Sequence, residues 1–241
     1  MFDHVTIRVG DRAATQPLYE HLLRTLGAEP THDGVDMVEW GDFGLVQADD
    51  EHPPARGLHV GFVAPTREHV DAFWHAGLAA GLRDDGAPGP RPQYREDYYG
   101  AFLRDPGGNS IEAVHHGALR RGGVIDHLWI RVADVAAARA FYETLAPHAG
   151  VEVRELGSAH VQVRGSSGSF SLVGGEPTRH AHLALPAPRD AVRAFHAAAV
   201  AAGHRDHGPP GERPEYHAGY YAAYVLDPDG HNVELVDHGP R

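Results

Sequence analysis

The chain has 241 residues, 42% of them hydrophobic, which is enough for one large domain or two domains of ordinary size. Its formal charge of −12 disfavours a nucleic-acid partner. It has no cysteine, which excludes disulfides, thiolate metal sites and a cysteine nucleophile, and its 21 basic residues are all arginine, which excludes Schiff-base chemistry on lysine.

No apolar run approaches the roughly 18 residues that a membrane-spanning helix needs. The first residues, MFDHVTIRVGDR, contain neither a basic segment nor a long apolar one, so no secretory signal is visible. We therefore expect a cytoplasmic protein without a membrane partner. Its 20 histidines are potential metal ligands or general bases.

The first half of the chain resembles the second. FDHVTIRVGDRAATQPLYEHL aligns with IDHLWIRVADVAAARAFYETL, so that His4 corresponds to His127. RPQYREDYYGAFLRDPGGNSIE aligns with RPEYHAGYYAAYVLDPDGHNVE, so that Glu112 corresponds to Glu234. A repeat of this length indicates two homologous domains, which we expect at residues 1–117 and 124–239.

Each half contains a weaker repeat of its own. HVTIRV alternates as a strand does, and a helical stretch that ends at Gly27 follows it, then the strand-like segments VDMVEW and FGLVQA. The order restarts with the strand LHVGFVA, a helix that begins after Thr66, and a hairpin whose turn contains Asp105. The pattern predicts an α+β fold of four βαβββ modules, two in each domain.

A glutamate interrupts the last apolar strand of each half. Because side chains alternate faces along a strand, Glu112 points away from Ile111 and Ala113 and towards the concave side of its sheet. Histidines in the first strand of each module point to the same side. An unpaired carboxylate there costs several kcal/mol, and a divalent cation removes that cost. The predicted metal ligands are His4, His59, Glu112, His127, His182 and Glu234.

Two histidines and one carboxylate form a facial ligand set, which leaves about three coordination positions open. Arg8, Trp129 and Arg131 follow His4 and His127 on the inner face and are candidates for holding an anionic or aromatic substrate. An alternative is that Glu112 pairs with Arg8 or Arg131 and that the histidines only line a cavity. The spacing leaves open whether a metal is shared within one half, between halves or between chains, so a homodimer is possible.

This pattern resembles the vicinal oxygen chelate superfamily of glyoxalase, bleomycin-resistance and dioxygenase proteins. The resemblance rests on DHVTIRV and DHLWIRV at the starts of the halves and on DPGGNSIE and DPDGHNVE at their ends. It implies two tandem glyoxalase/dioxygenase-like domains, each a curved mixed sheet that encloses a metal cavity. It also implies a small substrate that chelates the metal through neighbouring oxygens.

Within this superfamily, the architecture most resembles extradiol ring-cleaving dioxygenases, which implies Fe(II). The stretch YHAGYYAAYVLDPDGHNVE places His217 and Tyr224 at similar offsets to a histidine and a tyrosine in the extradiol signature. This resemblance implies an acid/base role for His217 and a hydrogen bond from Tyr224 to the substrate. Two tyrosine pairs precede the final hairpins, and alternation admits one of each pair to the cavity. Our candidate catalytic residues from these pairs are Tyr99 and Tyr221.

Two alternatives follow from the same resemblance. A glyoxalase-like lyase or isomerase would use Zn, Ni or Mn, but glyoxalase I has a glutamate in the last strand of its first module. The corresponding strands here are FGLVQA and FSLVGG, in which Leu45 or Gln47, and Leu172 or Gly174, occupy that position. A bleomycin-resistance-like protein would bind its ligand without turnover.

Overall fold

The computed structural model describes residues 1–239 and has the predicted α+β arrangement of four βαβββ modules. The helices are α1 (Arg12–Thr25), α2 (Arg67–Ala79), α3 (Val135–Ala149) and α4 (Arg189–Ala201). The strands of the first half are β1 (His4–Val9), β2 (His32–Asp33), β3 (Met37–Trp40), β4 (Phe43–Gln47), β5 (His59–Val63), β6 (Arg83–Pro90), β7 (Tyr99–Arg104) and β8 (Ser110–His115). Those of the second half are β9 (Ile125–Val132), β10 (Glu152–Gly157), β11 (His160–Arg164), β12 (Ser169–Gly174), β13 (His182–Pro186), β14 (Arg205–Glu212), β15 (Tyr221–Leu226) and β16 (Asn232–Asp237).

An aspartate begins the first helix of each half. The side chain of Asp11 accepts a hydrogen bond from the N–H of Ala14, and Asp134 accepts from two N–H groups of α3. These contacts satisfy donors that have no partner within the helix. None of the helices in the described part of the chain is long and apolar enough to cross a membrane.

The strands form two mixed sheets of eight strands each. The strand order is β14-β15-β16-β13-β1-β4-β3-β2 in one sheet and β10-β11-β12-β9-β5-β8-β7-β6 in the other. Strand β5 pairs in parallel with β8, as β13 does with β16, while β7 and β15 join these final strands in antiparallel hairpins. The parallel pairs bring the first and last strands of a module side by side.

By the density of its internal contacts the chain divides into two units, one comprising Met1–Val5 with the chain from Ile130 onward and the other Thr6–Trp129. In the unit Thr6–Trp129, α1 packs on α2, and α2 packs on β7 and β8. In the other unit, α3 packs on α4, and α4 packs on β14, β15 and β16. Each unit thus has its own layer of helices on strands.

The helix-facing side of each unit is an aromatic and aliphatic core. In the unit Thr6–Trp129, the ring of Phe43 lies 5.5 Å from Tyr19 and 5.0 Å from Phe62, measured between ring centroids. In the other unit, Tyr142 lies 5.2 Å from Phe170. These side chains are fully buried, so the helix-facing side supplies the hydrophobic stabilisation and the opposite side of the strands carries the polar groups.

The Asp-Pro turn of each final hairpin is tied to the first helix of its unit. Buried Asp105 accepts hydrogen bonds from the backbone N–H and side-chain amide of Asn109 at 2.7 and 2.9 Å, and from the Tyr19 hydroxyl at 2.9 Å. Asp227 accepts the corresponding hydroxyl, that of Tyr142, at the longer distance of 3.4 Å. The repeated aspartate therefore has a structural role that is separate from the glutamate downstream.

The two tyrosine–aspartate contacts predict unequal effects of substitution. Tyr19→Phe leaves a buried carboxylate with one donor fewer, so we expect the free energy of unfolding to fall by about 1–2 kcal/mol. Tyr142→Phe should cost less, because its hydrogen bond is longer. Urea unfolding of both variants measures this difference, and equal losses would show that bond length does not govern the contribution.

Candidate metal centres

Three side chains converge in the unit Thr6–Trp129, and we call them the His59 centre: His59, Glu112 and His127. The Nε2 atoms of the two histidines are 3.3 Å apart. The Oε2 atom of Glu112 lies 3.1 Å from His59 Nε2 and 3.3 Å from His127 Nε2. The side chain of Glu112 is 1% exposed, so its charge is shielded from water and is compensated within the cluster.

The other unit contains the matching cluster, which we call the His4 centre: His4, His182 and Glu234. The two Nε2 atoms are 3.1 Å apart, and Oε2 of Glu234 lies 3.6 Å from His4 Nε2 and 3.2 Å from His182 Nε2. Glu234 is also 1% exposed. Each cluster therefore combines a histidine from one half of the sequence with a histidine and a glutamate from the other half.

Strand register explains how the His59 centre forms. Gly61 of β5 lies opposite both Glu112 of β8 and His127 of β9. A Cβ atom at Gly61 would lie 2.4 Å from Cε1 of the His127 ring, a distance that side chains do not tolerate. The glycine therefore makes room for the imidazole, and a glycine inside a strand often marks such a close approach.

Further polar groups contact the candidate ligands of both centres, at atoms other than those that converge in the clusters. The hydroxyl of Tyr98 donates to Glu112 at 2.7 Å, and that of Tyr220 donates to Glu234 at 2.6 Å. The Nδ1 atoms of the first-strand histidines face the preceding aspartates at 2.9 Å, Asp126 for His127 and Asp3 for His4. Such carboxylates fix the orientation of a metal-binding imidazole and raise its basicity.

The charges at the His59 centre are strongly coupled. Burial alone would raise the pKa of Glu112, but the hydrogen bonds and charges of His127 and His59 lower it well below its ordinary range. Burial alone would lower the pKa of His127, whereas contacts with Asp126 and Glu112 raise it above its ordinary value. Burial lowers the pKa of His59 despite its contact with Glu112. A proton on His127 thus balances Glu112, and a cation at this position would displace it.

The Glu234 carboxylate shows the same behaviour. Burial alone would raise the pKa of Glu234, but His182, His4 and the Tyr220 hydroxyl lower it below its ordinary value. Burial and the charge on Glu234 in turn raise the pKa of Tyr220, so the phenol stays protonated and donates. The glutamate is thus held as an anion that contacts the Tyr220 hydroxyl and His182 at hydrogen-bond distance and has His4 at 3.6 Å.

The residues present fit a divalent cation. Donor atoms about 3 Å apart have the spacing of neighbouring ligands around a cation whose bonds to nitrogen are about 2.1 Å long. Two neutral imidazole nitrogens and one carboxylate oxygen suit zinc, iron, nickel or manganese, and three ligands on one side leave the other side open. The identity of the metal does not follow from this donor set.

The tyrosines on the inner face are not the predicted ones. Tyr99 donates its hydroxyl to Asp71 of α2 at 2.8 Å, and the Tyr221 hydroxyl accepts from Arg193 of α4 at 3.1 Å. Both therefore lie on the helix side, and the structure does not bring them to the clusters. The neighbouring residues, Tyr98 and Tyr220, take that place because they share the face of Phe102 and Tyr224.

His217 and Tyr224 differ in their distance from the His4 centre. The Tyr224 ring lies 6.4 Å from the His182 ring, beside the cluster. His217 is exposed, and its Nε2 faces Nδ1 of His238 at 2.8 Å. The structure thus places Tyr224 next to the ligands and His217 one residue layer behind them.

The candidate substrate-binding residues lie on the first strands. By alternation, Arg8 shares the face of His4 on β1, and Trp129 and Arg131 share the face of His127 on β9. The Trp129 ring lies 6.2 Å from that of Tyr94, a half-exposed residue of the β6–β7 loop. Arg131 is exposed. Their contact with a substrate stays a prediction.

The inner-face position at which the sequence analysis placed Leu45 or Gln47, and Leu172 or Gly174, is occupied by other residues. Leu45 and Leu172 are fully buried on the helix-facing side with Phe43 and Phe170, so they do not face the inner side. Alternation puts Gly44 and Val46 of β4, and Ser171 and Val173 of β12, on the opposite face. Neither strand contains a carboxylate on either face.

Sequence reasoning missed Asp3, Asp126 and Gly61. The first two precede the ligand histidines in the repeated dipeptide Asp-His, so their recurrence was a visible signal. Gly61 stands inside the strand LHVGFVA, where a glycine is unusual. These residues orient or accommodate the imidazoles.

The chain matches the model of the Glyoxalase/Bleomycin resistance protein/Dioxygenase superfamily over residues 1–113 and 124–235. It therefore belongs to this superfamily, and it contains two copies of the family domain. The family match and the donor set together support binding of a divalent metal. A comparison with curated protein sequences gave no match.

The chain is similar to several solved structures. A V278E mutant of glyoxalase I from Zea mays has a TM-score of 0.70 at 18% identity, with 98% of this chain and 92% of that chain covered. A candidate dioxygenase from Bacillus subtilis has a TM-score of 0.66 at 14% identity, with coverage of 99% and 85%. A glyoxalase/bleomycin resistance protein from Albidiferax ferrireducens is 34% identical over 48% of this chain and 99% of its own, with a TM-score of 0.45.

The exchanged pairing predicts which double substitutions remove metal. His4→Ala with His182→Ala disrupts one centre, so we expect one equivalent of zinc per chain to remain of two. His4→Ala with His59→Ala disrupts both, and we expect neither to bind tightly. Elemental analysis after dialysis with zinc measures this. If the pairing followed the halves of the sequence, the two double variants would give the opposite result.

Gly61 predicts an asymmetric steric effect. Gly61→Ala forces the His127 ring out of position, so we expect the His59 centre to lose zinc while the His4 centre keeps it. The matched control is Ala184→Gly, because Ala184 occupies the corresponding position in β13 opposite Glu234. This control should retain both equivalents in the same zinc analysis. Full zinc content in Gly61→Ala would show that the ring adapts.

Proposed function

We propose that this protein is an Fe(II)-dependent ring-cleaving dioxygenase of the extradiol type, which binds a small substrate through two neighbouring oxygens. The observation that supports this best is the ligand set, since each cluster found in residues 1–239 consists of two imidazoles and one carboxylate. This set is typical of non-haem Fe(II) oxygenases and leaves open positions for substrate and dioxygen. When bound, the metal would act as a Lewis acid on the substrate oxygens.

A single chain supplies all the ligands of both clusters. A homodimer is therefore not needed to complete either centre, and its formation stays a prediction. The hydroxyls of Tyr98 and Tyr220 keep the glutamates oriented, and Asp126 and Asp3 keep the first-strand imidazoles oriented. These contacts prepare the ligand side of each centre before a substrate arrives.

Tyr224 is the residue that we propose to contact the substrate at the His4 centre. Burial and the charge on Glu234 raise its pKa, so its hydroxyl stays protonated and can donate a hydrogen bond to a substrate oxygen. The Arg213 guanidinium lies 5.5 Å from the centre of its ring. At the His59 centre the corresponding residue is Phe102, whose ring lies 6.0 Å from His59 and has no donor. We therefore propose that turnover occurs at the His4 centre.

The absence of a carboxylate from β4 and β12 favours this reaction over a glyoxalase-like one. A lyase or isomerase with zinc, nickel or manganese needs a group that moves a proton on the substrate, and the strands in question contain none. A protein that only binds its ligand does not require two clusters of histidines and a glutamate whose orientations are fixed by further hydrogen bonds. Both alternatives are outcomes of the experiment below.

Oxygen uptake tests the proposal. Protein loaded with Fe(II) under argon should consume oxygen when catechols are added and form a coloured ring-cleavage product. Tyr224→Phe should lower kcat by about tenfold or more without loss of iron, because the donor is lost while the ligands remain. The matched control is Phe102→Tyr, which should leave kcat unchanged.

Three other results would contradict the proposal in different ways. Turnover in a glyoxalase assay with zinc, nickel or manganese, but no oxygen uptake with iron, would favour the lyase or isomerase. Stoichiometric binding of a catechol without turnover would favour a binding protein. Equal losses of kcat in Tyr224→Phe and Phe102→Tyr would remove Tyr224 from its proposed role.

A further inference from the structure

His217 and His238 form a close pair behind the His4 centre. Nε2 of His217 and Nδ1 of His238 are 2.8 Å apart, and the two ring planes are nearly parallel, with an interplanar angle of 12° and centroids 5.1 Å apart. The other nitrogen of His238, Nε2, lies 2.7 Å from Oδ2 of Asp3, and Oδ1 of Asp3 lies 2.9 Å from Nδ1 of His4. Asp3 thus connects the pair to a ligand of the centre.

The contacts of the two rings limit which nitrogens can donate. Nε2 of His238 faces the carboxylate of Asp3, and Nδ1 of His217 faces the carbonyl oxygen of Ala218 at 3.0 Å, so both positions suit an N–H group. With N–H groups at both positions, a hydrogen bond between the two facing nitrogens needs one further proton, because two bare nitrogens do not make a hydrogen bond. The arrangement that satisfies all three contacts therefore holds three protons, one more than two neutral imidazoles.

The surroundings suit one positive charge. The carboxylate of Asp3, whose side chain is 15% exposed, contacts both His4 and His238. The ring of Tyr220 packs edge-on against both histidines. Other charged groups on the surrounding elements are paired or bound to the backbone: Glu234 with Tyr220, Arg189 with Glu212 and the Gly219 carbonyl, and Asp237 with the N–H groups of Arg189 and Gly239.

The His59 centre has a different arrangement at the corresponding residues. His116 corresponds to His238, and its Nε2 lies 3.3 Å from Oδ2 of Asp126. Its Nδ1 accepts the backbone N–H of Ala118 at 3.2 Å, so the neutral ring satisfies both contacts. The counterpart of His217 is Arg95, which binds Asp97. This centre therefore has no shared proton behind it.

We propose that the His217–His238 pair is a proton store that compensates charge at the His4 centre, and that the His59 centre lacks one. A divalent cation adds two positive charges to the His4 centre, and like-charge repulsion then disfavours the charged pair. The shared proton then leaves to water, and the pair becomes neutral. Cation binding and the loss of this proton together add one positive charge instead of two. Two bare nitrogens then face each other, so the exposed His217 ring turns away.

This inference rests on the proposed metal binding, and zinc is the probe that tests it. The background variant His127→Ala leaves the His4 centre as the zinc site. Calorimetry in buffers of different ionisation enthalpy gives the number of protons released as zinc binds. Adding His217→Gln should reduce that number by about one, because glutamine donates to His238 without holding an extra proton.

The reverse background isolates the other centre. In His4→Ala, which leaves the His59 centre, neither His217→Gln nor Arg95→Gln should change the number of protons released. Equal proton release in His127→Ala with and without His217→Gln would overturn the inference. So would an equal decrease in both backgrounds, because the effect would then not belong to the His4 centre.

A measurement without metal separates this inference from the proposed function. Nitrogen-15 NMR of the histidine rings in the metal-free protein, assigned with His217→Gln and His116→Gln, counts protons on each ring. At a pH where the protein is folded and His116 is neutral, we expect three protons on the His217–His238 pair. Two protons would overturn the inference even if zinc binds. Three protons without zinc binding at the His4 centre would support the pair and contradict the metal centre.

Discussion

The arrangement of both sites depends on a carboxylate buried on the polar side of a strand. Glu112 and Glu234 occupy strand positions that are almost fully shielded from water, where an isolated anion is strongly unfavourable. Each is contacted by two imidazoles and a phenol, and one imidazole of each cluster is in turn held by an aspartate. Because a charge that is buried without a partner destabilises the fold, the network around each glutamate has to form as a whole.

The fold and the residues of the two clusters were predictable because the signals are local. Period-two alternation located the strands that contain Glu112 and His59, and it gave the side of the strand to which each points. The repeat supplied the counterparts in the second half. The grouping was not predictable, because the partner of His4 is chosen by which strands lie side by side, and strand order is a property of the whole sheet. In the structure His4 joins His182 and Glu234.

The choice between adjacent tyrosines shows a second limit. Tyr98 and Tyr99 are adjacent residues of the same type, so only the register of the hairpin determines which of them faces the inner side of the sheet. Phe102 pairs with Glu112 across β7 and β8, and counting back by twos from Phe102 reaches Tyr98. The Asp-Pro motif indicates the turn of this hairpin, but it does not give the pairing of residues across the two strands. A shift of one residue exchanges the faces, which is why Tyr99 and Tyr221 contact the helices.

The two centres keep the same ligands but differ in the residues around them. Where the His4 centre has Tyr224 and His217, the His59 centre has Phe102 and Arg95, so one side has a hydroxyl and a histidine pair that the other lacks. If both copies of the repeat needed only to fold, substitution would be limited at buried positions. The exposed His217 could then be replaced without an effect on either centre. His217 instead completes a continuous chain of hydrogen bonds that reaches a ligand through His238 and Asp3. The halves therefore differ in the groups that lie behind one centre, while both centres keep two histidines and a glutamate.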